Sequence, residues 1–210
     1  MQLEEYRLRV GAREWSVLHL GALISFVEEQ NYLSESREEF PYGLALWPAA
    51  IALAHEIAGR GEQWRGAQVL ELGAGTGLPG VVASALGAHV TQTDRQEAAM
   101  HLCRQNGERN RVEGIVYRTA DWTHWDDAAR YDWIVGADIL YSESTQAHLQ
   151  RIFETNLAAG GRLLLSDPFR LSSVRFLERL ERDGWRVAMT RWTIGEGDDA
   201  RRVGVFDLAR

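Results

Sequence analysis

From about residue 66 onward the apolar positions follow two alternating rhythms. Short runs that are apolar at most positions, such as Gln-Val-Leu-Glu-Leu at 68–72 and Tyr-Asp-Trp-Ile-Val-Gly-Ala at 131–137, have the pattern of strands covered on both faces; a strand open to water on one side alternates apolar with polar. Longer segments with helical character lie between them, at 77–86, 96–109, 145–155 and 172–183, and further strands are predicted at 89–93, 114–118, 161–166, 185–192 and 202–208. Strand and helix in alternation predict a doubly wound, mostly parallel sheet with helices on both faces. The last two strands are separated by only Gly195-Glu196-Gly197-Asp198-Asp199, and a connection that short joins an antiparallel pair. The expected architecture is therefore an α/β three-layer sandwich whose seven-stranded sheet ends in a C-terminal antiparallel hairpin.

Residues 1–65 have a different character. Tyr6-Arg-Leu-Arg-Val10 and Trp15-Ser-Val-Leu-His-Leu20 alternate like strands around Gly11 and are expected to form a small sheet over one side of the sheet edge. An apolar helix is predicted over 48–62, with Pro48 in its first turn, where the missing N–H costs nothing. With 210 residues, 45% of them hydrophobic, the chain suits one well-buried core, so 1–65 is read as an extension packed on a 66–210 core and not as an independent domain.

A formal charge of -7 argues against a protein that clamps a phosphate backbone, and no nucleic-acid partner is expected. Cys103, the single cysteine, cannot form an internal disulfide and is read as a core residue. The scattered histidines lack ligand spacing, so no metal is expected. The start of the chain lacks a leader pattern, and no apolar run approaches the roughly 20 residues that span a bilayer; the expected location is the cytoplasm, without a membrane partner.

The candidate chemistry centres on Glu71-Leu72-Gly73-Ala74-Gly75-Thr76-Gly77, where a predicted strand passes into a predicted helix through closely spaced glycines. Asp94 ends the next strand, where a carboxylate can accept both hydroxyl protons of a ribose. Together they predict an adenosine-containing cofactor. Gly75, Gly77 and Gly80 also satisfy the G-x-G-x-x-G spacing of dinucleotide-binding folds, but the glycine directly after the strand is Gly73. The form Glu71-x-Gly73-x-Gly75-x-Gly77 resembles motif I of class I S-adenosylmethionine methyltransferases.

Three further motifs narrow the resemblance. Gly43-Leu-Ala-Leu-Trp47-Pro-Ala-Ala50 precedes the core, Asp121-Trp122 follows the third core strand, and Ala137-Asp138-Ile139-Leu140-Tyr141 follows the fourth. Over residues 42–208 the combination resembles the family-16 methyltransferases, the seven-strand group that contains the protein-lysine methyltransferases. The resemblance implies a Rossmann-like fold and S-adenosylmethionine as cofactor, with S-adenosylhomocysteine as product. It further implies cofactor contacts from Trp47, Glu71, Gly73, Gly75, Gly77, Asp94, Asp121, Trp122 and Ala137, and catalytic roles for Asp138 and Tyr141. Trp47 also fits as an apolar cap on the sheet and Trp122 as a core residue. Asp138 stands where open α/β sheets bind their ligands. Asp167-Pro168-Phe169-Arg170 is read as a substrate-facing rim loop; its Asp-Pro-x-Arg form resembles a segment in the branch acting on lysines of an electron-transfer flavoprotein subunit, though the same short form also arises as a plain proline turn.

The leading expectation is an N-methyltransferase acting on a lysine of a protein substrate. Transfer to a small-molecule amine or pyridine nitrogen, with 6–40 as a lid, comes second. A nucleic-acid methyltransferase is disfavoured by the acidic charge and by Asp-Ile-Leu-Tyr in place of an Asp-Pro-Pro-Tyr form. The remaining alternatives are a cofactor-binding module without turnover and a dinucleotide oxidoreductase.

Overall fold

The structure is a computed structural model and describes residues 2–21, 42–197 and 200–210. Most of the expected 6–40 lid, and positions 198–199 of the expected turn, lie outside the described residues. The described chain opens with an antiparallel hairpin, β1 (Glu4–Val10) and β2 (Arg13–His19). Then come α1 (Pro48–Gly59), β3 (Gln68–Leu72), α2 (Leu78–Ala85), β4 (His89–Asp94), α3 (Glu97–Arg109) and β5 (Val116–Thr119). The second half runs β6 (Tyr131–Ala137), α4 (Glu143–Asn156), β7 (Leu157–Asp167), α5 (Leu171–Arg182), β8 (Arg186–Ile194) and β9 (Arg201–Ala209).

Strands β3 to β9 form one seven-stranded sheet in the order β5-β4-β3-β6-β7-β9-β8. The first five are parallel, and β9 lies antiparallel between β7 and β8, as the short final connection predicts. Period-two alternation sends neighbouring side chains to opposite faces. Val69, Trp133, Val135, Leu164, Val203 and Val205 pack with α1 and α2. Leu70, Leu72, Ile134, Leu163, Leu165, Phe206 and Leu208 pack with α4 and α5 on the other face. Both faces are thus covered, which is why the central strands read as nearly continuous apolar runs.

Two expectations shift. The helix predicted over 48–62 ends at Gly59, and Gly61, with φ of +50°, leads into a short 3-10 turn at Gly61–Trp64. Trp64 folds back there and donates its indole N–H to the Ile57 carbonyl at 2.7 Å. The N-terminal hairpin, expected over the sheet edge, rests on helices: Val10, Trp15 and Val17 join the α1 cluster, and two asparagines one turn apart, Asn106 in the last turns of α3 and Asn110 at its C-cap, bind the backbone of β2. Asn110 pairs with Ser16 N–H and C=O at 3.0 and 2.7 Å, and Asn106 with those of Leu18 at 2.7 and 3.1 Å. These side-chain amides serve β2 as a neighbouring strand would, so its polar backbone is satisfied without a third strand.

Candidate functional site

The parallel strands end at one rim of the sheet, and the topology reverses there between β3, which leads to β4 and β5, and β6 on its other side. Ligands of open α/β sheets bind at such a reversal. Most of the predicted site residues lie on this rim. Gly73 to Gly77 follow β3, Asp94 ends β4, Asp121 and Trp122 follow β5, Ala137 ends β6, and Asp138 and Tyr141 come just after it.

The glycine loop is built for close approach. Gly73, Gly75 and Gly77 all have positive φ, at 62°, 57° and 76°, a region L side chains avoid. A Cβ on Gly77 would lie 2.8 Å from both Cys103 Sγ and Gln92 Nε2, and one on Gly73 would lie 3.1 Å from the tip of the Trp122 ring. Trp122 therefore flanks the start of the loop. Asp94 reaches it from β4: one carboxylate oxygen accepts from Gly75 N–H at 3.2 Å and the other from Gln96 N–H at 3.0 Å. Burial pushes the Asp94 carboxyl above its usual range against these backbone donors.

Glu71 lies beneath the loop. It is buried, and its Oε2 accepts from Gly80 N–H, in the first turn of α2, at 3.1 Å and from Gln92 Nε2 at 2.6 Å. It thereby supplies an acceptor to one of the backbone donors that a helix start leaves unmatched. Burial pushes its carboxyl up to about 8, only partly opposed by Gln92 and Gly80. Asn106 reaches the loop from α3, donating to Thr76 C=O at 2.8 Å, so one side chain joins the loop to the hairpin. Gln92 and Asn106 were not legible as site residues, because nothing in the local pattern marks a polar core residue as a loop support.

The ends of β6 and β7 carry the second half of the site. Asp138 has φ of 52° and Phe169 φ of 65°, each a left-handed non-glycine residue costing roughly 1–3 kcal/mol unless its surroundings hold it. They do so here. Asp138 N–H donates to Ser166 C=O at 2.7 Å, and its carboxylate receives a two-pronged pair from Arg170, Nε to Oδ1 at 2.8 Å and Nη2 to Oδ2 at 2.7 Å. The next two residues, Ile139 and Leu140, are buried in the α4 and α5 cluster, and Tyr141 stands 52% exposed beyond them. Leu140 C=O accepts from Gln146 and Ser173, fixing the segment to both helices.

The remaining predicted residues lie nearby. Trp47 is half-buried at the cap of α1, two residues before Ala49, whose carbonyl accepts from Ser166 Oγ at 2.8 Å. Asp121 caps a short turn at Trp122–His124, its Oδ1 accepting from Thr123 N–H and Oγ1 at 2.8 Å each, which holds its carboxyl below the usual range. Arg170, read only as part of a rim turn, is the clearest addition; its one sequence signal was Asp167-Pro168-Phe169-Arg170. Among the described residues there is no group of three or more metal-ligating side chains, and no helix is long and apolar enough to cross a membrane.

The donor set fits an adenosine-bearing cofactor. Asp94 offers two carboxylate oxygens at a strand end, Trp122 an aromatic ring beside a glycine loop, and Gln96 a buried Oε1 without a partner among the described residues, on the residue that a Cβ on Gly43 would meet at 3.2 Å.

A family model described as lysine methyltransferase matches residues 28–183. Protein N-lysine methyltransferase METTL21A of Xenopus tropicalis is 33% identical over 153 residues, 71% of this chain and 71% of that protein. EEF1A lysine methyltransferase 3 of the same species is 32% identical over 140 residues, 60% of this chain and 62% of that protein. Among solved structures, the T. thermophilus 16S rRNA N2 G1207 methyltransferase RsmC, in complex with AdoMet and guanosine, superposes with a TM-score of 0.67 at 20% identity, over all of this chain and 51% of that one, and so shares the fold. The sheet order, the glycine loop and these matches agree, and the chain belongs to the lysine methyltransferase family of S-adenosylmethionine-dependent methyltransferases.

Proposed function

We propose that the protein methylates a lysine ε-amine of a protein substrate, with the cofactor over the glycine loop and the amine at Asp138. S-adenosylmethionine supplies an electrophilic methyl group on a positively charged sulfur. In this reading Asp94 receives the ribose hydroxyls, Trp122 and Asp121 flank the adenine, and Gly73, Gly75, Gly77 and Ala137 leave room for the amino-acid portion. Glu71 acts from below by holding the start of α2, and Trp47 contributes from the start of α1. Asp138 orients the amine, and Tyr141 provides a wall or hydrogen bond beside it.

The observation that carries the reading is the backbone of Asp138. A left-handed aspartate held at the end of a central strand, next to a glycine loop, is strain retained at a ligand-binding position. The exposure of Tyr141 supports an acceptor that arrives from outside on a larger molecule. The names of METTL21A and of EEF1A lysine methyltransferase 3 support the same acceptor class.

The test is a tritiated S-adenosylmethionine transfer assay with a lysate, its protein-depleted small-molecule fraction and its RNA, each with wild type and Asp138→Ala. Label in discrete protein bands, lost in the variant and located on lysine by mass spectrometry, is the expected result. Label confined to the small-molecule fraction or to RNA would overturn the protein-lysine assignment.

A further inference from the structure

The proposed acceptor site already contains a cation. Arg170 covers the Asp138 carboxylate with two parallel hydrogen bonds, leaving the carboxylate side chain 8% exposed while 34% of the arginine side chain still faces solvent. The turn that presents Arg170 is fixed at several points. Asp167, fully buried, accepts from Arg170 N–H at 2.7 Å and from Ser173 Oγ at 2.6 Å. Phe169, left-handed, packs edge-on against Phe206 at 6.1 Å between centroids, and a Cβ on Gly204 would fall within 3.0 Å of both rings. An arginine that met a rim carboxylate by chance would have no need of this support.

We propose that Arg170 is a positioning residue that neutralises Asp138, so that the site accepts a lysine amine in its neutral form and does not trap it as an ammonium. The proposal rests on the lysine reading above. An unpaired carboxylate close to a lysine stabilises the charged form, and an ammonium has no lone pair to attack with. Among the described residues, the charged groups that the geometry sets around Asp138 are Arg170 and, from the end of β7, Asp167. Arginine stays protonated at any working pH, so its two-pronged pairing with Asp138 offsets the charge of that carboxylate and weakens its hold on an ammonium. Asp138 oxygens retain acceptor capacity for an amine N–H, which aims the nitrogen lone pair. The proton leaves to water first; the lone pair then forms the nitrogen–carbon bond as the carbon–sulfur electron pair returns to sulfur.

Arg170→Met removes the charge and keeps most of the length, and Arg170→Lys keeps a charge without the fork. The probe is Nα-acetyl-lysine methylamide, titrated by NMR at pH 7.5 into each protein loaded with S-adenosylhomocysteine; melting temperatures report folding, and Arg170→Gln replaces the Met variant should that not fold. Arg170→Met is expected to bind the probe on the order of 10-fold more tightly than wild type, while transfer to the labelled protein falls by about 10-fold and its pH profile moves up by about one unit. Arg170→Lys is expected to lie between the two. Equal probe affinity with an unmoved pH profile, or parallel loss of binding and transfer, would overturn the proposal and leave the pair as a clasp between two turns. If the wild type labels no protein lysine, the acceptor reading has failed; tighter probe binding by Arg170→Met then still supports neutralisation of Asp138, and unchanged binding overturns it.

Discussion

At Gly73, Gly75 and Gly77 the backbone turns left-handed three times within five residues, using the one residue type that does so freely. Along the same rim, Asp138 and Phe169 adopt the same region of backbone space with side chains that resist it. The first region needs little local help, and its supports, Glu71, Gln92 and Asn106, fix where the loop lies. The second exists only because other elements hold it: the Ser166 carbonyl, the Arg170 guanidinium, the Asp167 carboxylate and the Phe206 ring. A glycine loop encoded in its own residues, the proposed cofactor site, thus stands beside a corner assembled by its neighbours, the proposed acceptor site.

The largest effect is expected from giving the loop a side chain. Gly77→Ala adds a methyl 2.8 Å from Cys103 Sγ and Gln92 Nε2 at φ of 76°. Overpacking of about 1–3 kcal/mol and a left-handed penalty of about 1–2 kcal/mol predict a loss of about 3 kcal/mol, or a melting temperature lower by about 6–12 °C. A shift under 2 °C would mean the loop yields easily. In the proposed acceptor corner, Asp138→Ala is expected to keep S-adenosylhomocysteine affinity by calorimetry and to lose about 100-fold in transfer. Equal losses in both would make the corner part of the cofactor site.

Protonation tests the support beneath the loop. Burial raises the Glu71 carboxyl from 4.5 to about 8, so the folded state binds the proton more tightly than the unfolded state. The stability contributed by this group is complete below about pH 4.5 and is lost as pH rises toward 8. Glu71→Gln retains an acceptor for Gly80 and Gln92 without a charge. Its melting temperature is expected to exceed that of wild type at pH 8.5 by several degrees, about 1–2 kcal/mol, with the two converging below pH 5. A constant difference across that range would place the charge of Glu71 outside the balance. The smallest effect is expected from Asn110→Ala, which leaves Ser16 without its amide partner and costs about 1 kcal/mol, lowering the melting temperature while leaving cofactor affinity unchanged. A loss of affinity would show that the hairpin is coupled to the loop beyond Asn106.

The sheet was legible because its evidence is local. The Val-Leu-Glu-Leu and Trp-Ile-Val runs reflect strands covered on both faces, and the short Gly-rich link before residue 201 allows only an antiparallel partner. The helix end at Gly59 and the folding-back of Trp64 were missed because the polar stretch Arg60 to Gln63 is compatible with a last exposed helical turn, whereas the backbone breaks at Gly61. The hairpin was misplaced for another reason. Its alternation predicts strands but not their support, which comes from asparagines more than eighty residues away.

The strand and helix order, the seven-stranded sheet with its reversed last strand, the glycine loop, and the acidic residues at the ends of β4 and β6 are all written into the amino-acid pattern. These depend on periodicity and on residues whose backbone preferences act locally. That Glu71 lies under the loop, that Asn106 joins loop to hairpin, and that Asp138 meets Arg170 thirty-two residues further on follow from the folded packing alone. Such contacts depend on where two distant chain segments come to lie once the core is packed, and burial then sets the charge state of the carboxylates enclosed there.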